Sequence, residues 1–438
     1  MNSAIFTKNT AITFFTRFAT GVFSVLATIV IARTLGPQGQ GIYSLAIMFS
    51  YILLIFTALG INPASVFLIG KKKYSPQEVL GNNLFLNLLI SLGTVLIGLI
   101  IVFLFSNALF PGVEKTYLLL VLLLVPLILI FDLGCHILIG LQEIKKYNYF
   151  SFLQNGLFLL LLIIFLLGMN FGITIAIISQ ILSFILVGLF LFLVVKKEAG
   201  GMVLHLSKKY LKEIFSYGIK VHLSGIFHFL HYRIDLFLLN IFINPVAVGL
   251  YFVATKLAEV FYFLSNSTGT VLFSKIASET DEKQINSFTP IVCRNVLFIT
   301  FWGVLVLLFL GQWLITFFYS KEFLDSVAPF RILLIGTLVV SGWEILANDF
   351  AARGKPILNT YIIGASVLIN IVLNILFIPK WGISGAAIAT AISYFFMFFV
   401  TVIIYSKISR NKIKNIIFLQ KKDIEFYKNL FAEIKKRI

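Results

Sequence analysis

The stretch KVHLSGIFHFLHYRID, residues 220–235, holds Lys220, His222, His228, His231, Arg233 and Asp235, with Lys256 a little further on. Cations at this density can hold an anionic group, and imidazoles can pass protons near neutral pH. The surrounding chain is strongly apolar, and a charged side chain at mid-bilayer costs about 2.5–3.5 kcal/mol even on insertion scales. On a helix turning about 100° per residue, Lys220, Ser224, His228, His231 and Asp235 fall within roughly 80°, with His222 and Arg233 on the opposite side. Lys256, Glu259, Phe263 and Asn266 share a second face, and Thr10, Thr13, Arg17, Thr20, Ser24 and Thr28 form a third polar stripe. Polar stripes over several turns of a membrane helix must face protein or water rather than lipid. The expectation is a water-filled cationic cavity for an anionic substrate. His228 and His231, with Asp235 and Glu259, are the candidates for ion or proton coupling. Internal salt bridges, such as Arg233 with Asp235 or Lys256 with Glu259, are the competing use of these charges, together with long side chains that snorkel.

The elements that must position these residues are membrane helices. The 438 residues are 59% hydrophobic and only 12% charged, with mean hydropathy +1.00, against about 25% charged in soluble domains. The apolar runs are continuous, which excludes the weak alternation of an outer-membrane barrel. No cleavable signal peptide is expected, because the first apolar stretch is long, contains Arg17 and leads directly into a second. Cys135 and Cys293 have no metal spacing, and neither a metal nor a cofactor is expected.

Spans of about 20 apolar residues fall at roughly 9–33, 41–64, 79–106, 117–139, 150–168, 172–194, 215–240, 247–272, 291–318, 328–349, 357–378 and 385–405. Alternate connections carry Lys71–Lys73, Lys145–Lys146, Lys196–Lys197, Lys208–Lys209, Lys275, Lys283, Arg353 and Lys355. The other set has only Lys115, Lys321 and Lys380, with Arg33 at its border. The positive-inside rule then predicts cytoplasmic termini. Most of the net charge of +17 is thereby topological, and nucleic acid is not an expected partner. Pro126 could kink the fourth helix. The Gly-rich turns (Gly36, Gly39, Gly41; Gly200–Gly201; Gly382, Gly385) are read as places needing φ freedom.

An internal repeat is visible. Gly41-Ile42-Tyr43-Ser44-Leu45-Ala46 recurs 208 residues on as Gly249-Leu250-Tyr251-Phe252-Val253-Ala254, and GITIAIISQILSF from Gly172 recurs as GISGAAIATAISY from Gly382. The predicted fold is all-α and integral to the membrane, with about twelve transmembrane helices in two parallel six-helix lobes. The predicted parts are a first lobe at 1–194, a cytoplasmic linker at 195–214, a second lobe at 215–405 and a basic tail at 406–438. The tail has apolar residues at helical spacing amid Lys and Arg, as expected of an interfacial helix on anionic lipid.

No GxSxG, CxxC, HExxH or P-loop occurs, and the outer loops are short, about ten residues at most. An enzyme is not expected. ARTLGPQGQGIYSLA (32–46), RIDLFLLNIFINPVAVGLYFVATKLAEV (233–260), GLQEIKKYN (140–148), ARGKPILN (352–359) and WGISGAAIATAISY (381–394) resemble motifs of bacterial polysaccharide repeat-unit flippases of the Wzx or RfbX type. These form a branch of the multidrug/oligosaccharidyl-lipid/polysaccharide exporter superfamily, which includes the MATE transporters. The resemblance implies movement of undecaprenyl-diphosphate-linked oligosaccharide units from the cytoplasmic to the periplasmic leaflet by alternating access, for O-antigen, capsule or a related surface polysaccharide. It implies a bacterial inner-membrane location. The implied partners are the lipid-linked glycan, membrane lipids, a polysaccharide polymerase and a chain-length regulator. By position, Arg17, Lys220, Arg233 and Lys256 would meet the anionic substrate. A cation-coupled drug exporter of the same superfamily and a membrane polysaccharide polymerase are the rival readings.

Overall fold

A computed structural model describes residues 3–169, 172–279, 281–421, 423 and 425. Most of the expected tail helix, and part of the turn expected between the fifth and sixth spans, lie outside them. The helices are α1 (Ser3–Thr57), α2 (Ile61–Gly70), α3 (Pro76–Leu109), α4 (Lys115–Leu122), α5 (Leu124–Gly140), α6 (Ile144–Met169) and α7 (Gly172–Glu198). They continue as α8 (Lys208–Phe242), α9 (Pro245–Ala258), α10 (Tyr262–Ser278), α11 (Glu282–Phe318), α12 (Val327–Ala352), α13 (Pro356–Ser409) and α14 (Ile413–Ile417). Short 3-10 segments sit at Glu259–Phe261 and Lys321–Ser326, and the described residues contain no strand.

Nine helical stretches among the described residues are long and apolar enough to cross a membrane. Two of them, Ile12–Thr57 with 46 residues and Pro356–Ser409 with 54, would be roughly 70–80 Å long if straight, more than twice a hydrocarbon core. Both are broken. Gly36 (φ 67°, ψ −175°) interrupts α1 and Gly382 (φ 57°, ψ −136°) interrupts α13. A positive φ favours glycine, and Pro37 supplies no N–H to continue the helix across the first break. These are the turns expected between the first and second spans and between the last two. α8, at 35 residues, has the length to cross but not the apolarity. The expectation for Pro126 is met by a break in its span: Pro126 has no N–H to offer the Leu122 carbonyl, and the span divides at Leu123 into α4 and α5.

Large apolar side chains stand exposed along these helices, including Phe103 at 61%, Leu104 at 71% and Phe309 at 78%. In water such a surface would aggregate; in a bilayer it is the lipid-facing belt.

The chain forms two compact units, Met1–Phe252 and Val253–Ile438. Within the first, α8 is fastened to earlier helices along its N-terminal half. Tyr210 Oη donates to Asn83 Oδ1 at 2.6 Å, the Tyr217 ring stacks on Phe67 at 4.4 Å, and Lys73 pairs with Glu213 at 2.9 Å. Gly60 and Gly218 are in backbone contact, since a Cβ on Gly60 would fall 2.1 Å from the Gly218 carbonyl. The segment before α8 is also fixed. Val203 N donates to the Gln77 carbonyl, and Asn82 exchanges two hydrogen bonds with the His205 backbone.

Within the second unit α12 packs against α10, α11 and α13. Asp349, fully buried on α12, takes a hydrogen bond from Thr289 Oγ1 (2.6 Å) and pairs with Arg353, which also donates to Asn286 Oδ1 at 2.8 Å. Arg353 thus joins α11 to α12. Not every turn glycine is there for φ freedom. Gly41 and Gly385 are helical, and what they supply is space: a Cβ would lie 1.8 Å from the Pro245 carbonyl oxygen at Gly41 and 2.3 Å from that of Phe377 at Gly385.

Candidate substrate pathway

In the polar stripe of α1 the side chain of Thr10 lies outside the described ones, and Thr13 accepts a hydrogen bond from Asn148 Nδ2 of α6 at 2.9 Å. Thr20 and Thr28 turn their hydroxyls onto the carbonyls of Arg17 and Ser24 on the same helix, a local solution open to Thr and Ser in membrane helices. Part of the stripe is therefore structural. Arg17 itself is exposed.

On α8 the predicted arc divides. Lys220 and His228 are exposed, whereas His231 and Asp235 are buried at 2% and 3% exposure. The division follows packing: Leu236, Leu239 and Asn240 continue the buried end of the helix. Asp235 Oδ2 accepts from Tyr251 Oη at 2.7 Å and Oδ1 from the Leu236 N–H at 2.8 Å. Both carboxylate oxygens are thus engaged, and the first of these bonds ties α8 to α9. The rings of His228 and His231 both lie beside Tyr232, at 4.8 and 5.4 Å between centroids. Arg233 is half-buried and its Nη1 donates to the Tyr232 carbonyl.

Lys256 and Glu259 form an ion pair at 3.4 Å, each about one-fifth exposed. This is one of the two internal pairs the sequence offered as the competing use of the charges. The cationic candidates fall in both units: Arg17, Lys220 and Arg233 in the first, Lys256 in the second.

The remaining embedded acids also have partners. Asp132 accepts from Asn62 and pairs with His136, and Glu344 accepts from Asn266 at 3.2 Å. Among the described residues no group of three His, Cys, Asp or Glu is placed to hold a metal ion. The Asp132–His136 pair was overlooked in the sequence although its four-residue spacing on a helix is a readable signal.

Arg294, on α11, is a further cation embedded in an apolar helix. It is buried against the tail, where its guanidinium grips the Asp423 carboxylate with two nitrogens, the Nη2–Oδ1 bond measuring 2.9 Å, and Nη1 donates to the Asn415 carbonyl. Burial alone would raise the Asp423 pKa. The hydrogen bonds from Arg294 and the Gln420 N–H, with the guanidinium charge, outweigh it and hold the carboxyl below its ordinary range.

Residues 6–278 match the protein family described as polysaccharide biosynthesis protein. The chain belongs to that family. The Staphylococcus aureus capsular polysaccharide biosynthesis protein CapF is 25% identical over 401 residues, covering 89% of this chain and 96% of that protein. The probable low-salt glycan biosynthesis flippase Agl15 of Haloferax volcanii is 25% identical over 198 residues, 43% of this chain and 40% of its own length. The chain therefore spans nearly all of one curated relative and less than half of the other. Among solved structures, a multidrug resistance MATE family transporter of the MOP superfamily, described as inward-facing, aligns with a TM-score of 0.74 at 16% identity, covering 90% of this chain and 96% of that one. The lipid II flippase MurJ, described as inward closed, aligns with a TM-score of 0.73 at 21% identity, covering 92% and 88%. The family member described here thus has the fold shared by MATE and MurJ transporters, which agrees with the predicted all-α membrane class.

Proposed function

We propose that the protein is a flippase for undecaprenyl-diphosphate-linked oligosaccharide units, carrying them from the cytoplasmic to the outer leaflet of a bacterial inner membrane by alternating access. The product feeds O-antigen, capsule or a related surface polysaccharide, with a polymerase and a chain-length regulator acting on it afterwards. In this reading the chain crosses the membrane twelve times with both termini in the cytoplasm: the broken helices α1 and α13 each cross twice, and α8 crosses despite its charges.

The observation that carries the reading is α8. A helix long enough to cross, but not apolar enough to stand among the membrane-crossing stretches, with Lys220 and His228 exposed on one arc, suits a wet lining rather than a lipid face. Arg17, Lys220 and Arg233 in the first unit, and Lys256 in the second, would each offer fixed positive charge to a diphosphate, acting more strongly in a membrane interior than in bulk water. The family match and the names of the two relatives support a lipid-linked glycan as cargo. They do not favour a drug.

The test is mass spectrometry of undecaprenyl-linked sugars in a deletion strain, with the leaflet determined. Intact units should accumulate in the inner leaflet, and Arg17→Ala or Lys256→Ala should fail to relieve the accumulation while still inserting into the membrane. Full export by both single variants would overturn the cavity assignment. Normal surface glycan in the deletion strain would overturn the function.

A further inference from the structure

We propose that Asp132 and His136 form a proton-binding site in the first unit, with His136 Nε2 as the atom that gains and loses the proton and Asp132 as its fixed counter-charge. α5 reads LVPLILIFDLGCHILIG, and apart from Cys135 these two are its ionisable side chains. They sit four residues apart, with His136 Nδ1 3.2 Å from Asp132 Oδ1 and 2.8 Å from the Asp132 carbonyl oxygen.

The geometry fixes who donates. A backbone carbonyl can only accept, so Nδ1 carries hydrogen in both protonation states of the ring. Nε2 is the nitrogen left to titrate. The other carboxylate oxygen is fixed too. Asn62 Nδ2 donates to Asp132 Oδ2 at 2.9 Å and to the Leu129 carbonyl at 3.1 Å, while Asn62 Oδ1 accepts from Asn87 Nδ2 at 2.7 Å. Asn62 and Asn87 are 3% and 1% exposed, so this amide chain is locked in direction. Both carboxylate oxygens of Asp132 thus have a neighbour, the Asn62 amide at Oδ2 and the His136 ring at Oδ1.

With the carboxyl ionised, the pair has net charge −1 when the ring is neutral and 0 when it is protonated. The pair is not sealed in the core of its unit, since the Asp132 side chain is 46% exposed and that of His136 23%. Few other charges face it. Tyr51 of α1 lies within electrostatic range of Asp132. α2 has no ionisable residue, α3 has only Glu78 in its first turn, and α4 has Lys115 and Tyr117 at the opposite end of the span. α6 has Lys145, Lys146, Tyr147 and Tyr149 near its start, and α7 has Lys196, Lys197 and Glu198 in its last turns. The neutral, proton-loaded pair is the form that tolerates withdrawal from water. Proton loading is thereby linked to which side of the protein is open. Only this last step rests on the flippase reading.

The test uses the purified full chain in nanodiscs, with nitrogen NMR of labelled histidine from about pH 5 to about pH 8 and His136→Gln to assign the signal. His136 should show the Nδ1–H tautomer at the alkaline end and take up a proton at Nε2 within the range. Asp132→Asn should change its proton affinity at least tenfold, a shift of one unit or more. In vesicles, an imposed pH gradient should accelerate glycan transfer by the wild type and leave His136→Gln at the rate seen without a gradient. A ring that stays in one protonation state, or holds the Nε2–H tautomer, overturns the site. An unchanged gradient response in His136→Gln overturns its use in transport. Failure of the wild type to move glycan would overturn the flippase reading and leave the NMR titration standing.

Discussion

Gly41 and Gly249, 208 residues apart in the chain, are packed into one another's helices. A Cβ on Gly41 would lie 1.8 Å from the Pro245 carbonyl oxygen, and one on Gly249 would lie 1.9 Å from that of Pro37. Pro37 and Pro245 are themselves 208 residues apart. Residues that correspond across the internal repeat have become each other's contacts, and the absence of side chains lets the two backbones touch.

Either glycine changed to alanine should therefore force α1 and α9 apart. We expect a loss of about 1–3 kcal/mol, as for other overpacked positions, read as thermal unfolding of the purified protein. In the double variant the second alanine should cost clearly less than the first, because the helices are already separated. Strictly additive losses would contradict a shared contact.

The tail grip gives a prediction in acid. Asp423 has a folded pKa below its ordinary value near 3.9. Its contribution to docking is accordingly complete above about pH 4 and is lost as the pH falls through the folded value, below about pH 4. Limited proteolysis of the tail should be slow at neutral pH and accelerate only at the acid end. Asp423→Asn should expose the tail at every pH, since Arg294 is then left buried without its counter-charge, a change that costs about 3–5 kcal/mol in comparable pairs.

A parallel case lies in α12. Arg353→Ala strands Asp349, which is fully buried, and should destabilise by about 3–5 kcal/mol. Adding Asp349→Asn should recover part of that loss, because the stranded charge is gone. The thermal midpoints of the two single variants and the double variant decide it.

Lys256 can be separated from its partner. If its only task were to neutralise Glu259, removing both charges would restore function. We expect Lys256→Gln with Glu259→Gln to insert normally and to leave glycan export as low as Lys256→Gln alone. Recovery to near wild-type export in the double variant would assign Lys256 to the ion pair.

The sequence carried the local features well. Gly36 with Pro37, Gly382 and Pro126 break helices where their backbone chemistry requires, and the polarity of α8 was visible without coordinates. What it did not carry was partnership over long separations. Arg294 and Asp423 are 129 residues apart, and Asn62 and Asp132 are 70 apart. Helical periodicity reports a face, not what that face meets. The same limit explains α8, where Lys220, His228, His231 and Asp235 share an arc but only the last two are buried. It explains Gly41 as well: φ freedom and close approach both call for glycine, and only the neighbouring carbonyl tells them apart.

The reach of the first compact unit to Phe252 has a consequence for how the protein is made. Gly41 emerges from the ribosome early, but its partners Pro245 and Gly249 are synthesised some two hundred residues later. Asn83 waits similarly for Tyr210, and Gly60 for Gly218. The first seven helices thus enter the membrane with glycine-lined backbone and amide side chains still unmatched. This half of the molecule is completed only when α9 arrives, so truncations ending at the 199–207 segment should yield an unfinished bundle open to quality-control proteases.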